Sequence, residues 1–536
     1  MILGRVEHHL VFIESSSKEE MGALRKALKF YQKKFRPDPH EFPFIITDIF
    51  DKQRKAFPTG YLEKVKEKLS KKDIDFKFVD KRSYRKNTFR FKQKTPFENP
   101  PRSWQKKAVD NIEEHPVGFI SAPTASGKSR VIFETILHHK VKTLVLVPTT
   151  NIQTATANKL KKLIGSTNVS TKLPKQTEEE YLAEQEKINQ SKRDMMKDVL
   201  DGKEADGFFH TVDESSIKDY LGVEETAEEK YLKEKGHTDK KKVPSWKKKK
   251  FSKKKSSKSY PVTVVCYQGL DDYSKKFLET IECIIIDEGH HASAKTFRDA
   301  LSNMPNAAFR YGFSATPWRD QKHEMELLKS SLGENIIFEY DPEKALEEEV
   351  IAAPDYKIIH PAAPEVYLAK HTNWRFLVEN GIIGNKVRND LIVKEAEEHF
   401  QAGKNILICV DEIAHAEILE EKFKDIDIDS ILIHGRRKNQ ENDENIKKVG
   451  ENKDQGMISI GTMAIGEGTD MPYIDVVILA SGGKSTIKLL QRIGRGARRP
   501  DGKDSFLIID FQDWFNPILL KHSLARQKTV KEYYNI

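Results

Sequence analysis

Short apolar runs alternate with segments of helical spacing along most of this chain. Near the N-terminus "RVEHHLVFIE" (5–14) alternates as a strand, and "SSSKEEMGALRKALKFYQKK" (15–34) pairs a serine cap with apolar residues at helical spacing. "FPFIITDIF" reads as a strand, "YLEKVKEKLSKK" as a helix and "IDFKFVDK" as another strand. Residues 1–95 therefore predict a small α+β domain, closed by the charged, proline-bearing linker "KQKTPFENPP". Beyond it come "VGFISA", "TLVLVP", "VTVVCY", "CIIIDE" and "FRYGFSAT", each separated from the next by helical patterns. That alternation predicts a parallel sheet covered on both faces, over 96–345. "NILICV", "SILIHG", "GMISIGT", "VVILAS" and "FLIIDF" repeat the pattern over 346–536. The expected fold is thus α/β, two parallel-sheet lobes in tandem after a small α+β domain.

One segment breaks the alternation. Residues 172–258 are rich in Lys, Glu, Asp and Ser and contain no strand-like run, so they read as an insertion into the first lobe. The 11 lysines between Lys240 and Lys258 exceed the whole net charge of +9, leaving the rest of the chain slightly acidic. The basicity is local, and a nucleic-acid-binding face elsewhere must come from arrangement rather than excess. The lysine run, with Trp246 and Phe251 inside it, reads either as a flexible nucleic-acid tether or as a solubilising loop. Three cysteines give no pairing framework, which points to a reducing, cytoplasmic setting. The N-terminus lacks the layout of a signal peptide, and no apolar run approaches a membrane span.

"ISAPTASGKS" lies between a strand and a helix. From Ala122 the spacing is Ala-x-x-x-x-Gly127-Lys128-Ser129, a phosphate loop with alanine at its first glycine. Backbone N–H groups through Thr124, Ser126 and Gly127, together with the following helix start, suit phosphate oxygens. Lys128 reaches the β and γ phosphates, and the Ser129 hydroxyl binds Mg²⁺. Such a loop needs a carboxylate from a second strand. "IIIDEGHH" (284–291) supplies it: Asp287, at the carboxyl end of its strand, holds Mg²⁺, and Glu288 orients or deprotonates the attacking water. Zinc at His290 and His291 is the weaker reading, because neighbouring residues at a strand end point apart and no ligand set accompanies them. His290 is expected to couple the nucleotide site to the second lobe.

"QRIGRGARR" (491–499) holds four arginines in nine residues. Arg495 and Arg498, three apart on a helical turn, would share a face and serve as arginine fingers across the cleft; a solvated basic face is the plainer alternative.

In this order the elements resemble those of the superfamily 2 helicases over roughly residues 100–510. "RSWQKKAV" is similar to the element that reads adenine, which implies a role for Gln105. "VPTTNIQTA" is similar to motif Ia, "CYQGL" to the Ib region, "SAT" (314–316) to motif III, "GTMAIGEGTDMP" to motif V and "QRIGRGARR" to motif VI. The resemblance implies two RecA-like lobes, with ATP and Mg²⁺ between them. It adds Gln491 to the catalytic set, and Gly468 and Asp470 to the nucleotide contacts. Nucleic-acid contacts would come from Thr149, Thr150, Gln268, Thr462 and Thr469 at strand ends, where hydroxyls and N–H groups grip phosphates without net charge. The acidic motif reads DEGH, not DEAD or DEAH, which departs from the RNA-helicase forms. Within the superfamily the N-terminal domain, "PTASGKS" and "GGKSTIKLLQRIGRGAR" look like the phage UvsW-type branch-migrating DNA helicases.

The expected function is an ATP-driven DNA helicase or translocase acting on single-stranded, forked or branched DNA, with RNA possible in hybrids and no membrane partner. The alternatives are the motor subunit of a restriction system, an RNA helicase, and a non-catalytic clamp with a degenerate ATPase. The intact Lys128, Asp287, Glu288, Arg495 and Arg498 argue against the clamp.

Overall fold

The computed structural model describes residues 1–33, 44–52, 54–84, 88–89, 91–173, 186, 190, 260–267, 270, 274–317, 322–436, 439–453, 456–462 and 471–536. Most of the 172–258 segment, and with it the lysine run, lies outside the described residues.

The N-terminal domain is built on a four-stranded sheet in the order β5-β2-β1-β6. Its strands are β1 (Ile2–Val6), β2 (Leu10–Ser15), β5 (Ala56–Pro58) and β6 (Phe76–Asp80), with β1 antiparallel to β2 and parallel to β6. The stretch expected to be one strand is a hairpin. Its polar Glu7-His8-His9 forms the turn, closed by Glu7 N–H donating to the Leu10 carbonyl at 2.9 Å. The following helix is shorter than its spacing predicts. It spans Lys18–Ala27, capped by Ser17 with Glu20 reciprocating. Chain 29–33 then becomes strand β3, paired antiparallel with β4 (Phe44–Asp48). A continuous partner strand overrides the helical spacing there.

The first lobe carries a seven-stranded sheet in the order β13-β7-β12-β11-β8-β10-β9, with every pairing parallel. Its strands are β7 (Val117–Ser121), β8 (Thr143–Val147), β9 (Val169–Ser170), β10 (Val262–Cys266), β11 (Cys283–Asp287), β12 (Phe309–Ser314) and β13 (Ile336–Glu339). The second lobe has a six-stranded sheet, β14-β19-β18-β15-β17-β16, again all parallel. It comprises β14 (Ala353–Ile359), β15 (Asn405–Cys409), β16 (Ser430–Ile433), β17 (Met457–Gly461), β18 (Val476–Leu479) and β19 (Ser505–Phe511). The central strands β8, β10 and β15 are buried at every position, which is why they read as near-continuous apolar runs rather than alternating ones. All three cysteines are buried free thiols.

The two lobes share one apolar core. A single cluster joins Val145 and Ile285 of the first lobe to Tyr340 and Ile351 of the connection, and to Leu479, Ile493, Ile508 and Tyr534 of the second. Hydrogen bonds fasten the connection to the second lobe. Ala352 N–H donates to the Ala497 carbonyl at 2.9 Å, Arg499 Nη1 to the Glu349 carbonyl at 2.8 Å, and Asn535 Nδ2 to Glu343 Oε1 at 2.8 Å.

The N-terminal domain docks on the first lobe rather than trailing from it. Leu327, on the first-lobe helix Lys322–Leu332, belongs to the N-terminal domain's core. The Tyr61 hydroxyl donates to the Glu326 carbonyl at 2.6 Å, and Lys64 forms an ion pair with the Glu326 carboxylate. The main tie is Arg310, at the foot of β12 and 1% exposed. Its guanidinium donates to the His8 carbonyl (2.8 Å), Thr59 Oγ1 (2.8 Å), His9 Nδ1 (3.0 Å) and the Ser331 carbonyl (3.3 Å). Burial without a carboxylate pushes its pKa down to about 10. A charge so placed is tolerable because both Nη groups are occupied, although the buried Nε has no partner. A cleft of ≈ 220 Å³ opens beside this junction, lined by His9, Phe50, Arg54, Arg298 and Asp299, away from the phosphate loop.

Candidate active site

The phosphate loop leaves β7 and ends in the helix Lys128–His139. Gly127 caps that helix with φ 101°, a left-handed backbone open to glycine at little cost. The loop is braced from the helix Ser103–Glu114. Arg102 Nη1 donates to the Ser126 carbonyl at 2.8 Å, and Gln105 Nε2 to the Gly127 carbonyl at 3.2 Å. Gln105 Oε1 accepts from Arg102 N–H at 2.9 Å, so its amide is engaged on both sides. Trp104 beside it stacks on Tyr340 at 4.8 Å between ring centres, which ties this helix to the connection between lobes. Arg130 sits 3.3 Å over the Phe97 ring at the mouth of the loop, a flat pair that the sequence pattern did not single out.

Lys128 Nζ donates to the carbonyls of Ala122 (3.0 Å) and Pro123 (3.1 Å), held inside its own loop. Ser129 at the helix start is exposed. Asp287 and Glu288 leave the end of β11, with Asp287 Oδ1 accepting Glu288 N–H at 3.1 Å. Glu288 takes a left-handed backbone, φ 51° and ψ 52°, a costly choice for a non-glycine residue and one concentrated at functional sites. Burial lowers the Lys128 pKa, the two carboxylates raise it, and Arg495 lowers it further. Lysine, both acids and an arginine of the second lobe therefore share one electrostatic neighbourhood.

The helix Thr486–Gly496 forms the opposite wall. Gly494 abuts Thr124 of the phosphate loop: a Cβ on Gly494 would stand 2.5 Å from the threonine Cβ. Gln491 and Arg495 on this helix are 6% and 4% exposed. The helix ends at Gly496, with Ala497 as its cap, so Arg498 lies just past it and not on a shared helical turn as the spacing predicts. Burial pushes the Arg498 pKa down to about 10. Arg492, which the sequence reading passed over, ties the second lobe's own loops. It donates to Ser481 Oγ (2.6 Å), Asp411 Oδ1 (2.7 Å) and the Val410 carbonyl (3.2 Å). Lys503 Nζ donates to the Gly496 carbonyl at 2.6 Å, a cation at the helix C-terminus where the dipole favours it.

His290 is 1% exposed, and its Nδ1 lies 3.0 Å from Ser314 Oγ at the end of β12. Ser314 Oγ accepts Thr316 N–H at 3.0 Å, and His290 stands 3.4 Å from Glu288 Oε2. These ties lie within the first lobe. His290 and His291 belong to a 3₁₀ turn, not a strand end, and their rings lie 4.3 Å apart rather than diverging.

Thr149 caps the helix Thr150–Ile164 after β8 and is half-buried, whereas Thr150 is exposed. Thr462 follows β17, its N–H donating to the Ile433 carbonyl at 3.2 Å. Gln268, Gly468, Thr469 and Asp470 lie outside the described residues.

Two family models match. Residues 98–319 match the type III restriction enzyme res subunit, and residues 388–500 match the helicase conserved C-terminal domain. The chain belongs to the superfamily 2 helicases. A candidate helicase, number 22, of Sulfolobus islandicus filamentous virus is 28% identical over 274 residues, 49% of this chain and 47% of that protein. The ATP-dependent DNA helicase uvsW of Enterobacteria phage T4 is 25% identical over 255 residues, 47% of this chain and 50% of that one. The match thus spans about half the length of these curated relatives. The crystal structure of T4 UvsW aligns over 100% of this chain and 98% of its own, at 17% identity and a TM-score of 0.38. No helix among the superfamily 2 chain's described residues is long and apolar enough to cross a membrane.

The site's donors suit a nucleotide with a hard cation. A hydroxyl (Ser129) and a carboxylate (Asp287) are oxygen ligands of the type Mg²⁺ takes alongside phosphates. Lys128 Nζ donates to two backbone carbonyls, which a phosphate oxygen can replace.

Proposed function

We propose that this chain is an ATP-dependent DNA helicase or translocase that remodels branched DNA, hydrolysing ATP between its two lobes. The contact between Gly494 and Thr124 carries the reading, because it places the arginine helix directly over the phosphate loop. In this reading Lys128 leaves its carbonyl partners for the β and γ phosphates, and Gln105 leaves Gly127 for adenine. Gly468 and Asp470 complete the nucleotide contacts. Ser129 and Asp287 hold Mg²⁺, which neutralises charge on the phosphate oxygens when bound. Glu288 orients the attacking water, and Arg495 and Arg498, with Gln491 beside them, stabilise charge on the transferring phosphoryl group. His290 and Ser314 join the acidic turn to β12, so a change at the γ phosphate reaches the strand-end loops.

The DNA path runs over the carboxyl ends of the two sheets. There Thr149, Thr150 and Thr462, with Gln268 and Thr469, offer sequence-independent contacts to phosphates. The N-terminal domain serves duplex or branch recognition, and its buried tie through Arg310 suits a part that moves with the first lobe. The protein acts in the cytoplasm, that of a host cell if a virus encodes it.

The test is ATP turnover with forked, branched, duplex, single-stranded and RNA–DNA hybrid substrates. Branched DNA should stimulate most, and Lys128→Ala should abolish turnover while DNA binding survives. Full turnover in that variant would remove the mechanism. The restriction-motor reading is favoured by the model matched at 98–319; metal-dependent cleavage of duplex DNA by the purified chain would promote it. Stronger stimulation by RNA than by DNA would turn the reading to an RNA helicase.

A further inference from the structure

The second lobe gathers exposed aromatic side chains outside the cleft and outside every motif named above. They sit on residues 360–385, between β14 and the helix Lys386–Gln401, and at the start of the C-terminal helix Pro517–Tyr534. A small apolar cluster of Leu368, Leu377, Ile382, Phe515 and Leu519 pins the two together. Asn516 Nδ2 donates to the Leu368 carbonyl at 2.6 Å, and Trp514 Nε1 to the Pro361 carbonyl at 2.9 Å. The side chains stay largely open to solvent: Tyr367 is 68% exposed, Trp514 52% and Trp374 40%. Trp374 is braced against His522, 4.7 Å between ring centres. Single exposed apolar side chains are ordinary, but three large aromatics on one anchored surface mark a binding face.

Its charge indicates what binds. Lys370, Arg375 and Lys521 are exposed among the rings, against the carboxylates of Glu365 and Glu379. Arg375 Nε meets Glu379 at 2.9 Å, yet its side chain stays 88% exposed. Position narrows the choice further. The Ile382 side chain would lie 2.8 Å from a Cβ on Gly482, so the surface abuts the loop 480–485. That loop follows β18, and Asp411 and Thr462 follow β15 and β17 at the same edge of a parallel sheet.

We propose that this surface is a stacking platform for a single nucleic-acid strand, extending the strand-end path beyond the second lobe. The proposal rests on the nucleic-acid-motor reading. Every base offers a π face, so Tyr367, Trp374 and Trp514 grip a strand without reading its sequence, while the cations meet its phosphates.

The test compares the full chain with Tyr367→Ala/Trp374→Ala, both exposed positions, and with Tyr367→Phe/Trp374→Phe. Fluorescence anisotropy is read with labelled oligodeoxythymidine of about 10 and about 40 nucleotides, one short enough for the strand-end loops and one long enough to pass them. The alanine pair should bind the long strand about tenfold more weakly and the short strand as before, and the phenylalanine pair should restore long-strand affinity. Unchanged long-strand affinity overturns the platform, as does an equal loss on both lengths. Conversion of an oligomer to a monomer also overturns it, in favour of a second copy of the chain. If the unaltered chain binds neither strand, the motor reading itself has failed; if it binds both and the alanine pair does too, only the platform has.

Discussion

Gly494 faces Thr124 across the interlobe cleft so closely that a Cβ on the glycine would stand 2.5 Å from the threonine Cβ. Two positions 370 residues apart in the chain thereby set the width of the proposed catalytic gap. The obstructing atom is a Cβ, not the far end of a flexible chain, so Gly494→Val must push the lobes apart. Because a misplacement of about 1 Å can cost about a hundredfold in rate, turnover should fall at least tenfold. The melting temperature should move little, and nucleotide-free DNA binding should persist. Normal turnover would mean that this closed contact is not the working state.

Arg495→Lys keeps the charge facing Lys128 but loses the planar fork. On the arginine-finger reading, kcat should fall by about 10³ or more, with KM nearly unchanged. A change in KM alone would make Arg495 a binding residue.

His290→Ala and Ser314→Ala each break the 3.0 Å contact between the acidic turn and β12. Basal ATP turnover should stay within a few-fold, while stimulation by DNA falls about five- to 150-fold, the range of a coupling of about 1–3 kcal/mol. The double variant should lose no more than either single one. Additive losses would show that the two residues act separately.

Arg310→Met removes the guanidinium donor from Thr59 Oγ1, His9 Nδ1 and the Ser331 carbonyl, while the His8 carbonyl keeps the Thr59 hydroxyl. Each buried acceptor left unsatisfied costs about 1–3 kcal/mol, so thermal melting should shift down by several degrees or split into two transitions. A single unshifted transition would mean that Tyr61, Leu327 and Glu326 hold the junction alone.

Stability should depend on acid through two buried imidazoles. Burial holds His9 well below its ordinary value of 6.5, aided by Arg310 and Arg54, and brings His415 down to about 3. Above pH 6.5 both are neutral folded or unfolded, and their contribution is complete. Below it the unfolded chain takes up protons that the fold refuses. Stability therefore falls below about pH 6.5, by about 1.4 kcal/mol per pH unit towards 3 for His415, with His9 acting in the same direction. Urea melts of His415→Gln should show a shallower slope by that amount. An unaltered slope would mean that the ring protonates inside the fold.

The phosphate loop, Asp287–Glu288 and the arginine cluster were legible in the sequence because each is local. A loop between a strand and a helix, or a carboxylate at a strand end, needs only neighbours in the chain to be recognised. The buried strands were equally plain, since short apolar runs bounded by turn signals and separated by helical patterns suit a sheet covered on both faces. Local spacing failed where a distant partner decided. Lys29–Lys33 follows helical spacing but pairs with β4. The sequence by itself determined that the 122–129 loop joins a strand to a helix and that Asp287 ends a buried strand. Only the tertiary structure decided that Gly494 meets Thr124, that His290 bonds Ser314, and that Arg310 fastens the N-terminal domain to the foot of the same strand. Those contacts join residues far apart in the chain, and such pairings are fixed by packing, which leaves no periodic mark in a single sequence.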